Sequence, residues 1–381
     1  MSTKELQAAA SSWVDWVKDQ ALPRWSRDGV NVKNGAAYER FLSDGTADAS
    51  VNTRMRVQAR QMFVFAMAST RGWMDKAEAK RVVDGIAAFA NGKGQHPSGH
   101  GYVHILAPDY SIADGKRDLY DHAFFMLSCA ARYKAFGDED ALQSADKIMG
   151  FLDAELGKVS GGWLEGDYDT DRRRQNPHMH MFEAVLSLYE ATGNAKWLAR
   201  AGEIYALFET RFFDPKFGVL REYFNHDWTL LDGADGDIVE PGHMMEWVWL
   251  LRWYQRCSGH DVSHYADAMY EKGLADGFAE DGLLMDAVSP DGEVIHATKR
   301  SWPMTELVKA ALAQAQAGCE GAEEVALVAA NRLMEVYISQ EHAGLYVDQI
   351  DEAGTVLGDT AQASILYHLL MAVMELDSYG S

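Results

Sequence analysis

Cysteine is almost missing from this chain. Three residues, Cys129, Cys257 and Cys319, are scattered through 381 positions. An odd, dispersed set gives neither a disulfide framework nor a Cys-x-x-Cys metal knuckle, so a reducing cytoplasm is the expected location. Long hydrophobic runs are missing too. No apolar stretch approaches the ~20 residues needed to span a bilayer, and the polar opening Met1 to Gln7 carries no signal-peptide core. Positive charge is scarce: 35 Lys and Arg against 57 Asp and Glu leave a net charge of −22. That excess argues against nucleic acid and anionic membranes as partners, and for a small neutral or modestly charged ligand. With eight prolines and no Pro/Gly/Ser-rich linker or shift in composition, residues 1–381 read as one domain, a monomer or homodimer. No Walker, dinucleotide, Gly-x-Ser-x-Gly or His-Glu-x-x-His motif occurs. Nucleotide cofactors, serine hydrolysis and a bound metal therefore lack support, and no cofactor is expected.

What the chain does have is helical periodicity, repeated. Apolar residues fall at helix spacing in 55–66, 119–135, 181–191, 244–254, 305–315 and 364–374. Second helices are predicted near 75–90, 139–156, 195–213, 262–277 and 320–339, after an opening helix near 4–20. Between pairs lie Gly-, Asp- and Asn-rich stretches such as 162–171, 218–228, 282–292 and 344–354, each reading as a small hairpin. A polar marker recurs about every 60 residues just inside the following helix: Arg60, His122, His180, Glu246, Glu306 and His368. Six such units are best explained by six helical hairpins closed into a ring, an all-α (α/α)6 barrel with its short β-hairpin loops at the active-site end. Closure brings the markers to one axis and builds a pocket from residues distant in sequence.

The chemistry-bearing phrases sit at helix starts. In Glu240-Pro241-Gly242-His243-Met244-Met245-Glu246-Trp247, proline and glycine open a helix and set His243 and Glu246 three residues apart on one face. Histidine moves protons near neutral pH, and a nearby carboxylate tunes it or binds a sugar hydroxyl. His178 and His180 flank Met179 and point apart on a helix; His180 keeps the rhythm and joins His243 and His368 as a candidate catalytic residue. His368 interrupts an apolar helix, and Arg60 offers a fork of donors to a carbonyl or alkoxide oxygen. Tyr120-Asp121-His122 offers polar groups at a helix start, while Trp302 supplies an aromatic face for a pyranose and Glu306 a carboxylate one turn beyond it. The run Arg172-Arg173-Arg174 reads as a solvated loop, phosphate binding being the other use of such a cluster.

With these residues in view, the chain resembles the N-acylglucosamine 2-epimerase superfamily along essentially its whole length. The resemblance is carried by Gln58 to Met62, Asn176 to His180, Glu240 to Trp247, Arg300 to Glu306, and Tyr367-His368. It implies an (α/α)6 barrel acting on mannose-type sugars without a cofactor. It implies His243 and His368 as acid/base catalysts, with Arg60, Tyr120, Asn176, His180, Glu246 and Trp302 around the monosaccharide. The Glu-Pro-Gly-His form resembles the D-mannose isomerase branch. Conversion of D-mannose to D-fructose through a cis-enediolate is the expectation, with a sugar 2-epimerase and an inverting glycoside hydrolase as alternatives.

Overall fold

A computed structural model describes residues 3–157, 161–339 and 341–379. The ends of the predicted 1–381 domain lie outside the described residues. Six inner helices form a ring: α3 (Met55–Thr70), α5 (Leu119–Phe136), α7 (Asn176–Thr192), α9 (Pro241–Ser258), α11 (Ser301–Gln316) and α13 (Ala363–Ser378). Each packs on the next, and α13 closes on α3. Outside them run α1 (Thr3–Trp16), α4 (Lys76–Phe89), α6 (Glu139–Phe151), α8 (Ala195–Leu207), α10 (Ser263–Gly277) and α12 (Ala322–Tyr337). The opening helix is longer than its periodicity predicted, because α1 continues through a π turn at Val17–Ala21 into α2 (Leu22–Arg27). This is the (α/α)6 barrel expected from the sequence.

Burial explains the two layers. In α9 every side chain from Pro241 to Tyr254 is buried, and in α11 every one from Ser301 to Gln314, as befits helices enclosed on all sides. Outer helices bury one stripe, as α6 does with Ala141, Ala145, Ile148, Met149 and Phe151. Asp75, Asp118, Asp138 and Asn194 accept the first free N–H groups of α4, α5, α6 and α8. Glycines 137, 193 and 259 end α5, α7 and α9 in the left-handed conformation that favours glycine.

The linkers gather at one end. Their strands are two or three residues long; half of the pairings fold a linker back on itself, as Gln349–Ile350 does on Val356–Leu357, and half join different units. Arg173–Arg174 pairs with Tyr223–Phe224, and Arg40–Phe41 with Ala361–Gln362, which seals the first unit to the last. The predicted hairpin at 162–171 is irregular, held only by isolated bridges at Trp163 and Gly166. A recurring anchor fixes the inner-helix starts. Arg54 gives its backbone N–H and Nε to Glu39, Arg174 does so to Glu165, and Arg300 to Asp286.

Candidate active site

At the linker end the barrel holds a cavity of about 520 Å3, within the usual range of ~300–1,000 Å3 for small-molecule sites. One residue from each inner helix turns to the axis at this depth: Arg60, His180, Glu246 and His368 line the cavity, and Phe124 and Glu306 lie beneath it. Neighbours around this ring meet. The Arg60 guanidinium lies 4.0 Å from the Phe124 ring centre, and the Phe124 and His180 rings are 4.6 Å apart. His180 Nδ1 is 3.6 Å from Glu246 Oε1, and His368 Nδ1 is 2.8 Å from Glu306 Oε1.

The sequence rhythm placed His122 in this ring, where Phe124 stands. Two residues turn a side chain by ~200° around the helix, so His122 faces outward. There its Nδ1 donates to the Asp118 carbonyl at 2.6 Å, and its Nε2 accepts the Tyr102 N–H at 3.0 Å. His178 does the same for the Trp163 N–H at 3.1 Å, so only His180 of that pair faces the axis. A Cβ on Gly162, whose φ is +63°, would come 2.5 Å from His178 Nε2, which explains why glycine stands there.

His243 and His368 both line the cavity and both pack near Trp302, their rings 5.0 and 5.7 Å from the indole. Their electrostatic settings are opposite. Burial opposes charge on His243, but Glu222, Glu240 and Glu246 outweigh it and raise its pKa to about 9. Burial dominates at His368 and lowers its pKa to about 3, despite the bond to Glu306. At neutral pH His243 is thus a proton donor and His368 a neutral acceptor.

The expected pairing of His243 with Glu246 is corrected. His243 Nδ1 donates instead to Glu222 Oε2 at 3.0 Å, on a linker strand, while Glu246 turns to His180. Gln175 Nε2 also donates to Glu222 at 2.9 Å, and Trp247 Nε1 to Gln175 Oε1 at 2.7 Å, which fixes the carboxylate. Asn176 Nδ2 meets His243 Nε2 at 2.9 Å, and its Oδ1 is buried without a partner. Turned by 180°, the amide presents that oxygen to the second N–H of the imidazolium. Because the folded pKa of His243 exceeds its ordinary 6.5, its charge stabilises the fold fully below that value. The contribution is lost as pH rises through about 9. Glu222→Gln is expected to move the alkaline limb of the kcat profile down by ~1 pH unit or more; an unmoved limb would refute this coupling.

Tyr120, Asn176 and Trp302 line the cavity, as do Arg60, His180 and Glu246. Glu306, expected to bind substrate, lies beneath that surface and is fully buried. Its second oxygen is 2.6 Å from Lys309 Nζ, itself fully buried. Burial is resisted there by Lys309 and His368, which hold the Glu306 carboxyl below its ordinary pKa. Burial, with Glu306 and Glu183 close by, pushes the Glu246 carboxyl well above its ordinary pKa. Tyr367 donates its hydroxyl to Glu183. Sequence reasoning missed Lys309, Glu183 and Glu222. The signal for Lys309 was present, a lone lysine in an all-apolar stretch three residues after Glu306.

Arg60 is 4% exposed and has no carboxylate within ion-pair distance among the described residues. Its Nη1 donates to the Ser364 carbonyl at 2.9 Å and its Nη2 to the Tyr120 hydroxyl at 2.7 Å, while Nε has no partner. An uncompensated buried cation facing a cavity is costly unless an anion forms there. Glu246, Glu306 and His368 bring ligand atoms within 4.8 Å of one another, as do His180, Glu183 and Glu246, which motif spacing does not reveal. Lys309 already supplies the positive charge at the first of these.

A barrel whose cavity sets a proton donor against a proton acceptor over a buried arginine is the site of a sugar isomerase or epimerase, and relatives agree. The profile of the N-acylglucosamine 2-epimerase (GlcNAc 2-epimerase) family matches residues 37–372, and the chain belongs to that family. It is 34% identical over 383 residues to mannose-6-phosphate isomerase of Rhizobium meliloti (strain 1021), covering 98% of each chain. It is 27% identical over 246 residues to D-mannose isomerase of Thermobifida fusca, covering 60% of each. In fold it is similar to cellobiose 2-epimerase from Spirochaeta thermophila DSM 6192, with a TM-score of 0.87 at 19% identity over 99% of this chain and 98% of that one.

Proposed function

We propose that the protein is a cofactor-independent aldose–ketose isomerase acting on a mannose-type aldose. The observation that carries this reading is one cavity lined by His243, His368 and Arg60, with a carboxylate-supported His243 and a neutral His368 both packed near Trp302. Once the sugar is open, His368 takes the C2 proton on Nε2, the nitrogen left free by its bond to Glu306. Glu306 then faces an imidazolium it stabilises. Negative charge grows on O1, and Arg60 receives it with no carboxylate competing. His243 carries the proton that O1 and O2 exchange, or that opens the ring. His368 returns its proton to C1, giving the ketose. The relatives named as mannose-6-phosphate isomerase and D-mannose isomerase support a mannose-type substrate.

The same two imidazoles, both lining the cavity, would also suit return of the proton to C2 from the opposite face, which is epimerisation. The hydrolase alternative has less support, because Glu306 is tied to Lys309 and His368 and does not reach the cavity. The test is proton NMR of mannose and mannose 6-phosphate with the enzyme in heavy water. The expected result is a ketose product carrying solvent deuterium at C1. A 2-epimer labelled at C2 would replace isomerase by epimerase, and intact protons on both sugars would sink both.

A further inference from the structure

We propose that the cavity wall formed by α3, α5, α7 and the loops before them is a phosphate site. The sugar would carry its phosphoryl group at the end remote from the carbonyl. The inference rests on the aldose reading above and names the substrate class. The chain has a net charge of −22, yet Arg54, Arg56, Lys116 and Arg174 share this wall. In the ring the half made by α3, α5 and α7 faces the half made by α9, α11 and α13, which carries His243 and His368, and the two halves meet at the α7–α9 and α13–α3 seams.

Three of these cations are held from behind. Arg54 Nε is 2.7 Å from Glu39, Arg174 Nε 2.6 Å from Glu165, and Arg56 Nη1 3.2 Å from Asp121. All three carboxylates are buried and none lines the cavity. Because Arg54 and Arg174 spend only Nε on these anchors, both Nη groups of each have no protein acceptor among the described residues. Such a guanidinium is already oriented, and its open fork matches the oxygens of a phosphate. Asp118 is the carboxylate on this wall, and it is engaged by the Tyr168 hydroxyl at 2.6 Å and by the first turn of α5. Carboxylates surround the histidine end instead, with Glu222, Glu240 and Glu246 around His243. Arg300 also lines the cavity, but Asp286 and Glu240 take its Nε and Nη2, so the cations with open forks are those of the Arg54 and Arg174 wall. The run 172–174 is also not a uniform solvated loop. Arg172 pairs with Asp171 and Asp235, Arg173 lies buried 3.6 Å over the Trp228 ring, and only Arg174 lines the cavity.

The test is calorimetry on the full chain with mannose 6-phosphate, mannose and inorganic phosphate as probes. Mannose 6-phosphate is expected to bind ~100-fold more tightly than mannose, and inorganic phosphate to compete with it. Arg174→Gln and Lys116→Gln are each expected to cut that selectivity by ~10-fold. The Lys116 side chain is 32% exposed, so its substitution leaves no buried partner stranded. Equal affinity for the two sugars, or a ratio unmoved in both variants, overturns the proposal. Selective binding without hydrogen exchange at C1 or C2 would retain the phosphate site and reject the isomerase reading. Exchange of mannose with no preference for the phosphorylated sugar would do the reverse.

Discussion

His368→Ala should lower kcat by roughly 10²–10⁴, the usual contribution of a general acid or base. Deuterium incorporation from solvent should fall in parallel. His368 lines the cavity as a neutral, oriented imidazole, its Nδ1 on Glu306 at 2.8 Å and its ring near Trp302. His243→Ala should cost a similar factor, through a different limb of the pH profile. With His243 gone, the loss of activity above pH 9, set by its pKa of about 9, should disappear. If either variant turns over within about tenfold of the parent, the role assigned to that histidine is wrong.

Lys309→Met carries the largest expected cost in stability. Lys309 and Glu306 are both fully buried and 2.6 Å apart, and Glu246 and Glu183 also act on the lysine. Removing one partner of such a pair typically costs ~3–5 kcal/mol, because the remaining charge has no solvent. The fall in Tm should be smaller at low pH. Glu306 has a depressed pKa in the fold, so the stability it contributes is present above the ordinary carboxylate pKa and is lost as pH falls through the folded value. Protonation also relieves the stranded carboxylate in the variant. Activity should drop as well, since a protonated Glu306 is a poorer acceptor for His368 Nδ1. A denaturant midpoint equivalent to less than about 1 kcal/mol of loss would mean that the lysine does not hold this charge.

The barrel was legible because six units repeat one pattern. Inner helices such as α9 are apolar on every side, and outer helices such as α6 along one stripe. Periodicity reports that difference directly. His243, His368, His180 and Arg60 stood out because polar groups are expensive in such helices. What escaped reading came from partners in other units. Glu222 reaches His243 from a linker strand, and nothing in its own neighbourhood marks it. The choice of His122 over Phe124 failed for a simpler reason. Both residues begin α5, and only the neighbouring helices decide which points inward. The cationic wall of the cavity was equally hidden, since its cations come from α3 and from the loops before α5 and α7, and their anchoring carboxylates from separate linkers.

The seam between α3 and α13 sets the order of events during synthesis. Arg60 reaches the Ser364 carbonyl and Gln61 the Ala363 carbonyl, over separations of 304 and 302 residues. Pairings this remote in the chain form late and slow. While α13 is still inside the ribosome, five nascent units expose an apolar flank where it will dock, and Arg60 lacks its backbone acceptor. A chain that lacks α13 also lacks His368, so the cavity is completed only when the last helix docks.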